Sequence, residues 1–232
     1  NFLLNDLNCE LIKIASADMS HYQMLEIAGK SNAMVLVSTG MSFWDEIKDS
    51  VNFLGKFTNK IGVLKCTSNY PASSSSINLN GINKLLEQFP NYEIGFSDHS
   101  IGNEASICSI MLGCTILEKH FTLDNQMWGP DHSSSLNPNE FKKYVEAIRK
   151  IELLYGERDW SVQDEEKGQR STMTKGTYAN KNLKKNHLIS LSDVNFLRPS
   201  GSISPKNFYL NYLNKKINKD IVKNNEIKEE DF

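Results

Sequence analysis

The sequence lacks several features that would assign the protein to a particular environment. No apolar run approaches the ~18 residues of a membrane span, and no segment has the pattern of a signal peptide. A basic cluster is also missing, because 26 lysines and arginines are offset by 28 aspartates and glutamates. Composition therefore gives no indication of nucleic acid or an anionic membrane as a partner, and we expect a cytoplasmic protein that uses neither.

Cysteines are few and form no C-x-x-C pair. The four residues, Cys9, Cys66, Cys108 and Cys114, each lie in or beside an apolar run. Metal-binding or redox motifs place their cysteines closer together. We therefore predict buried free thiols in a reducing compartment, in preference to disulfides.

Short apolar runs alternate with amphipathic segments along the first two thirds of the chain. This alternation is typical of βα units and predicts an α/β fold with a parallel sheet. Ser42 with Asp45, and Asn137 before Pro138, resemble helix starts. The predicted strands lie at 11–16, 33–40, 61–68, 92–98 and 115–123.

The composition of the chain changes near residue 157. Residues 158–176 are polar and are predicted to form an irregular linker between a domain at 1–157 and a smaller one at 177–232. Within the smaller domain, residues 180–194 and 218–232 repeat the same pattern at a constant offset. Two copies indicate a small pseudo-symmetric domain, since a solenoid needs at least about three.

Polar side chains follow each predicted strand. Because ligands of parallel α/β folds bind at the carboxyl ends of the strands, we expect these residues to line a binding site. Hydroxyls and a lysine there suit a phosphate or carboxylate, although any single serine or threonine is more readily explained as a helix cap. The residues are Lys13, Ser16, Ser38, Thr39, Thr67, Ser68, Ser97, Asp98, His99, Glu118 and His120.

Two histidines, His99 and His120, lie one βα unit apart. They are placed either to bind one divalent cation or to form ordinary hydrogen bonds at the rim of the sheet, and their spacing leaves both interpretations open. Of the others, His21 is predicted at a helix start and His187 on the surface. His132 follows "GPD" in a loop and is a candidate substrate contact.

Seven motifs, in order along the chain, resemble those of the sialic acid synthase family, which includes synthases of N-acetylneuraminate and related nonulosonates. The segment "NFLRPSGSISP" is similar to part of that family's C-terminal antifreeze-like (SAF) domain. The motifs are "KIASADMSHY", "LVSTGMS", "LKCTSNYPA", "GFSDHSIGNEA", "ILEKHFTLD", "GPDH" and "SLNPNEF".

The resemblance implies a TIM barrel that condenses phosphoenolpyruvate with an N-acetylated sugar such as N-acetylmannosamine and releases phosphate. It implies a Mn²⁺ or Mg²⁺ ion on His99 and His120, and a domain-exchanged homodimer in which Arg198 reaches the partner's active site. Lys13 is the implied catalytic cation, and Asp18 or Glu118 would transfer protons. Implied phosphoenolpyruvate contacts are Lys13, Ser16, Ser38, Ser68, Ser97 and His99; implied sugar contacts are Asp18, Tyr70, Asp131 and Arg198.

The sequence also departs from the family pattern. A serine run at 73–76 replaces a proline-containing acidic stretch, and "GPDH" has its own lead-in. Legionaminic or pseudaminic acid synthesis is the nearest alternative activity, with "GPDH" arguing weakly against pseudaminate. Only about five of the usual eight barrel strands can be found, so we expect the C-terminal part of a synthase with little activity by itself.

Two further alternatives are an inactive truncated chain that binds carbohydrate or a partner, and a lyase or aldolase on the same scaffold. A lyase would act without phosphoenolpyruvate and would have no need for the domain that carries Arg198.

Overall fold

A computed structural model describes residues 2–157 and 159–232. The chain divides into two compact units, Asn1–Glu157 and Arg158–Phe232. Each unit has a separate hydrophobic core, and each is described by itself below.

The first unit is built on a curled sheet of five parallel strands. Each strand pairs with the strand next to it in sequence, so the order across the sheet is the order along the chain. This arrangement corresponds to part of a β/α barrel and confirms the predicted α/β class. The strands are β1 (Leu11–Ile14), β2 (Met34–Ser38), β3 (Ile61–Cys66), β4 (Glu93–Asp98) and β5 (Ile116–Lys119).

Helices cover the convex, outer face of the sheet. Alternate strand residues such as Val35, Val63 and Phe96 are buried there against helical residues such as Leu25 and Leu85. The helices are α1 (Tyr22–Gly29), α2 (Trp44–Leu54), α3 (Ser74–Ile77), α4 (Gly81–Gln88), α5 (Glu104–Met111) and α6 (Pro138–Tyr155). A π-helical turn, Phe2–Asp6, precedes β1.

The remaining strand residues point to the inner face of the sheet, which is not covered by helices within residues 2–157. Leu36 and Leu64 are buried there, and Gly62 gives them room, since a Cβ on Gly62 would lie 2.4 Å from Leu36 Cδ2. These apolar residues fill the amino-terminal part of the inner face. The carboxyl ends of the strands are left open for polar side chains.

Two of three predicted helix starts are confirmed. The Asn137 side chain accepts hydrogen bonds from the backbone of Asn139 and Glu140, both at 3.1 Å, and thereby caps α6. His21 caps α1 by accepting from Met24 N. The predicted start at Ser42 with Asp45 is wrong by one residue. Phe43 precedes α2, and Glu46 accepts from Phe43 N at 2.7 Å.

The two edge strands are less buried than the three central ones. Leu11 of β1 is half exposed and every residue of β5 is partly exposed, whereas β2, β3 and β4 are almost wholly buried. Within residues 2–157, β1 pairs only with β2, and β5 only with β4, apart from a single bridge from Phe121 to Leu136. The sheet described here is therefore open.

The second unit contains a two-stranded antiparallel sheet, β6 (Gly176–Ala179) and β7 (Val194–Leu197), with α7 (Asp164–Met173) and the short α8 (Pro205–Asn207). The predicted irregular linker is wrong where α7 forms. Glu166 accepts from Gln163 N, and three acidic residues occupy the first turn, where the helix dipole favours negative charge.

The predicted repeat is confirmed in three dimensions. Ile189 and Ile227 are both fully buried. Asp193 accepts from Ser190 N and binds Lys181 at 2.6 Å; Asp231, in the second copy, accepts from Lys228 N and binds Lys219 at 2.6 Å. The copies also meet directly, since the backbones of Leu183 and Ile221 exchange two hydrogen bonds. The small domain is thus pseudo-symmetric, as the sequence predicts.

Two predictions from composition have mixed outcomes. Among the described helices, none is long and apolar enough to cross a bilayer. The expectation of buried thiols holds for Cys66 and Cys114 but is wrong for Cys108, which is exposed on α5. Cys9 is half-buried.

Candidate active site

A polar cavity of about 330 Å³ opens on the inner face at the carboxyl ends of the strands. Nine of the residues singled out from the sequence line it: Lys13, Ser16, Ser38, Ser68, Tyr70, Ser97, His99, Glu118 and His120.

The pleat of the sheet explains this convergence. Cys66, Ser97 and Glu118 lie side by side in the register of β3, β4 and β5, so their side chains share one face. Two residues further along each chain segment, His99 and His120 return to the same face. Hence short i, i+2 patterns at three neighbouring strand ends produce one cluster.

A carboxylate lies at the centre of the cluster. The ammonium group of Lys13 is 3.5 Å from Glu118 Oε1, and the Ser97 hydroxyl donates to Glu118 Oε2. The same hydroxyl is 3.3 Å from His99 Nε2. Lys13, Glu118, Ser97 and His99 therefore form a connected chain of polar contacts across three strands.

The two predicted metal ligands lie close together. The ring centroids of His99 and His120 are 5.0 Å apart, and Tyr70 packs against both. His99 Nδ1 donates to the Thr67 carbonyl at 2.8 Å, which leaves Nε2 as the nitrogen that faces the cavity. A metal-binding imidazole usually donates its other ring N–H to a carbonyl or carboxylate in this way, so this pair fits a divalent cation. Residues 2–157 and 159–232 contain no group of three or more His, Cys, Asp or Glu ligands, so other positions would be filled by water or substrate.

Cys66 also lines the cavity, and the sequence analysis assigned it no role there. Its sulfur is 3.5 Å from Ser16 Oγ and 3.9 Å from His99 Nδ1. Burial by itself would raise the pKa of Cys66, but hydrogen bonds with His99, Ser16 and Ser68 outweigh it and lower the pKa to about 7. The signal was present in "LKCTS", where alternation places Cys66 on the same face as Ser68.

The two imidazoles have opposite shifts. Burial would lower the pKa of His99, but its contacts with Cys66 and the Thr67 carbonyl raise it above the ordinary value. Burial and the neighbouring His99 lower the pKa of His120. His120 is therefore the imidazole more readily held in the neutral form that a metal ion requires.

Two hydroxyls are held near the cavity in different ways. Ser16 accepts from Gly40 N at 3.0 Å, and the close approach needs glycine, since a Cβ on Gly40 would lie 2.1 Å from Ser68 Oγ. The Ser38 hydroxyl is buried and has no hydrogen-bond partner among the described residues. Since buried polar atoms are nearly always paired, Ser38 is available to a bound ligand.

A buried ion pair lies between the ends of β4 and β5. Asp98 and Lys119 are 0% and 2% exposed and approach to 3.0 Å. Asp98 also accepts from Ser100 N, Ser100 Oγ and Ser106 Oγ. Tyr144 of α6 donates to Ser106, which ties the network to the outer helices. Because His99 follows Asp98 and His120 follows Lys119, this pair sets the positions of both imidazoles.

Three predicted sugar contacts lie outside this lining. Asp18 ends a 3₁₀ turn after β1 and is partly exposed. Asp131 is near enough for its charge to act on Tyr70 and His120. Arg198 belongs to the second unit, where its guanidinium is 3.7 Å from Met173 Sδ. His132 bonds to Thr122 Oγ1 at 2.7 Å in the loop after β5.

The fold and cavity define an α/β protein of the barrel class with a polar site at the carboxyl ends of its strands. The profile of the NeuB family matches residues 1–159, and the chain belongs to this family.

Named relatives agree with this assignment. The chain is 36% identical over 95% of its length to a pseudaminic acid synthase of Campylobacter jejuni, and 34% identical over 87% to an N,N'-diacetyllegionaminic acid synthase of the same species. It covers 64% and 61% of these relatives, or about three fifths of their length. The N-acetylneuraminic acid synthetase of Leptospira borgpetersenii, solved with citrate, matches 72% of this chain and 58% of its own, with 32% identity and a TM-score of 0.66.

Proposed function

We propose that this protein acts in the condensation of phosphoenolpyruvate with an N-acetylated hexosamine, which yields a sialic or related nonulosonic acid and phosphate. The main support for this proposal is that one cavity brings together a lysine, a serine, a glutamate and two histidines: Lys13, Ser97, Glu118, His99 and His120. Membership of the NeuB family supports the same reaction class.

The cavity suits phosphoenolpyruvate because it offers both charge and donors. Lys13 supplies an ammonium group, and Ser16, Ser38, Ser68 and Ser97 supply hydroxyls at the same rim. Charge-assisted hydrogen bonds to phosphate and carboxylate would fix the enol in one orientation. Holding two substrates together in this way removes much of the entropic barrier of a bimolecular reaction.

The proposed reaction forms one carbon–carbon bond and one carbon–oxygen bond to water, and it breaks the carbon–oxygen bond to phosphate. The enol carbon of phosphoenolpyruvate attacks the open-chain aldehyde of the sugar, whose oxygen takes up a proton. Water then adds to the cationic carbon and loses one proton, and phosphate leaves as the new hydroxyl gives its remaining proton to it and becomes the ketone. Glu118 is the better candidate for proton transfer, because it lies in the cavity against Ser97 and Lys13, whereas Asp18 does not line it.

A Mn²⁺ or Mg²⁺ ion on His99 and His120 would polarise the aldehyde oxygen of the sugar. The cavity-facing Nε2 of His99 and the short distance between the two rings support this placement. Tyr70, which packs against both rings, would hold them in place and contact the sugar at the same time.

The proposed sugar is N-acetylmannosamine or a close relative. Diacetamido sugars that lead to legionaminic or pseudaminic acid are the second candidate, because relatives that make those acids match this chain at 34% and 36% identity.

The test is release of phosphate from phosphoenolpyruvate in the presence of each sugar, with Mn²⁺ added. We expect activity with one sugar class and a loss of at least about 100-fold in Glu118→Gln, since a general acid–base group contributes on the order of 10²–10⁴. Lys142→Gln, which changes an exposed lysine on α6, is the control and should keep full activity. Equal activity in Glu118→Gln would contradict the assigned role.

A second candidate is binding without turnover. It is favoured by the two open edges of the five-stranded sheet in the described residues. Calorimetric titration with phosphoenolpyruvate would show saturable binding that Lys13→Gln weakens, while no phosphate is released with any sugar. Phosphate release would rule this candidate out.

We also propose that the second unit is an SAF domain whose Arg198 completes the sugar site of a partner in a domain-exchanged homodimer. Its exposed guanidinium at the end of β7 supports this proposal. Mixing Arg198→Ala with Glu118→Gln should then restore part of the activity that each variant lacks. No recovery from the mixture would contradict the exchange.

A further inference from the structure

A second cavity of about 440 Å³ lies on the outer side of β3, between α2 and α4. We propose that it binds a small phosphate- or carboxylate-bearing anion, at a site that adjoins the candidate active site and shares Met41, Cys66 and Ser68 with it but contains Lys65 and Lys84 in place of Lys13. Its lining combines two lysines with an aromatic ring and four hydroxyl groups: Lys65, Lys84, Trp44, Thr39, Ser42, Thr67 and Ser68.

Lys65 is an unusual residue for its position. Val63, two residues earlier on the same face of β3, is fully buried in the apolar core. The stem of Lys65 passes over Gly81, where a Cβ would lie 3.3 Å from Lys65 Cε. Its ammonium group contacts two neutral oxygens, Thr67 Oγ1 at 3.0 Å and the Cys66 carbonyl at 3.2 Å.

No carboxylate of the described residues offsets the charge of Lys65, and burial outweighs the favourable charge of the neighbouring Cys66 thiolate in its effect on the Lys65 pKa. In the described part of the chain, no carboxylate lies within 4.0 Å of it. Burial lowers the pKa of Lys65, which is the expected response of a cation removed from water without a counterion. A bound anion would supply the missing charge.

Lys84 brings a second positive charge to the same cavity. Its ammonium group lies 4.0 Å from the centroid of the Trp44 ring. The nearby carboxylate is Asp45, which is already paired with Lys48 at 2.8 Å and points into solvent. Lys65, Lys84 and Lys48 carry three positive charges and Asp45 carries one negative charge, so the sum over these four residues is positive.

The chemistry of the lining selects the ligand class. Two ammonium groups and several hydroxyls bind phosphate or carboxylate oxygens through charge-assisted hydrogen bonds. The flat face of Trp44 would pack against the rest of a small ligand. An uncharged sugar would leave Lys65 without a counterion, and a cation would be repelled.

Trp44 provides a local probe of this cavity. The other two tryptophans, Trp128 and Trp160, are fully exposed and serve as internal references. We would titrate the ¹⁵N-labelled protein with inorganic phosphate, and separately with malonate, and follow the indole N–H signals. Trp44→Phe assigns the signal, and sodium chloride at matched ionic strength controls for screening. The two anions distinguish a phosphate ligand from a carboxylate ligand.

We expect a saturable shift of the Trp44 signal alone, with an affinity that falls at least about 10-fold in Lys65→Gln and in Lys84→Gln. Lys56→Gln is the matched control, because Lys56 also lies over an aromatic ring, Phe53 at 5.4 Å, but does not line the cavity. If Lys65→Gln fails to fold, Lys84→Gln still decides the question, since Lys84 is exposed.

Three results would overturn the proposal: no shift with either anion, an equal shift with chloride, or unchanged affinity in Lys84→Gln. Loss of the shift in Lys13→Gln would also overturn it, because phosphate would then act from the candidate active site. Synthase activity does not enter this experiment. The site can therefore fail or hold independently of the proposed function.

Discussion

Replacing Lys119 with methionine is expected to destabilise the first unit strongly. The change keeps the length and most of the volume of the side chain but removes its charge. Asp98, which is completely buried, would then keep its three hydrogen bonds from Ser100 and Ser106 but lose the cation that pairs with it. The carbonyls of Ser100 and Gly102 would lose a donor as well.

The expected loss follows from burial. Removing one partner of a buried ion pair costs about 3–5 kcal/mol, because the remaining charge stays in a medium that solvates it poorly. With a urea dependence of about 2 kcal/mol per molar, a loss of about 4 kcal/mol lowers the unfolding midpoint by about 2 M. An exposed pair contributes at most about 1 kcal/mol.

Urea unfolding followed by far-UV circular dichroism measures this effect. Lys142→Met is the matched control, because Lys142 pairs with Glu146 at 3.9 Å with both side chains exposed, and its midpoint should hardly move. Combining Lys119→Met with Asp98→Asn should destabilise less than the sum of the single changes. A loss below about 1 kcal/mol in Lys119→Met would refute the reasoning from burial.

Two further predictions concern other parts of the chain. Asn137→Ala removes the cap of α6 and should lower the free energy of unfolding in urea by about 1 kcal/mol. Asn139→Ala is the control and should lower it less, because the cap is the side chain of Asn137. Burial would raise the pKa of Asp193, but Lys181, His187 and Ser190 hold it well below its ordinary value. Its stabilising contribution is therefore present above about pH 4 and lost as the pH falls further. Thermal unfolding between pH 6 and pH 2.5 should show a steeper loss in the wild type than in Asp193→Asn; parallel curves would contradict this.

The strand and helix pattern could be predicted because it depends on local periodicity. The short apolar runs at β3 and β4 and the cap at Asn137 identified the elements to within about two residues. The prediction of an irregular linker at 158–176 was wrong, also for a local reason. The polar helix α7 buries no residue, so it carries no apolar stripe to reveal it.

The candidate site was predictable as a set of residues but not as a geometry. Strand-end position brought Lys13, Glu118 and the two histidines into one list, and the pleat then placed them on one face. Cys66 was missed because an apolar neighbourhood suggested a core thiol. The role of Lys119 could not be found either, since a lysine between Glu118 and His120 gives no sign in the sequence that it turns inward to Asp98.

The two copies of the repeat in the second unit have a consequence for folding. Leu183 and Ile221 exchange backbone hydrogen bonds across 38 positions of sequence, and Asn214 N bonds to the Ile189 carbonyl. Such non-local contacts raise the contact order, so this small unit should fold more slowly than its size suggests. Neither copy of the repeat can form these backbone hydrogen bonds by itself. The unit should therefore fold in one cooperative step.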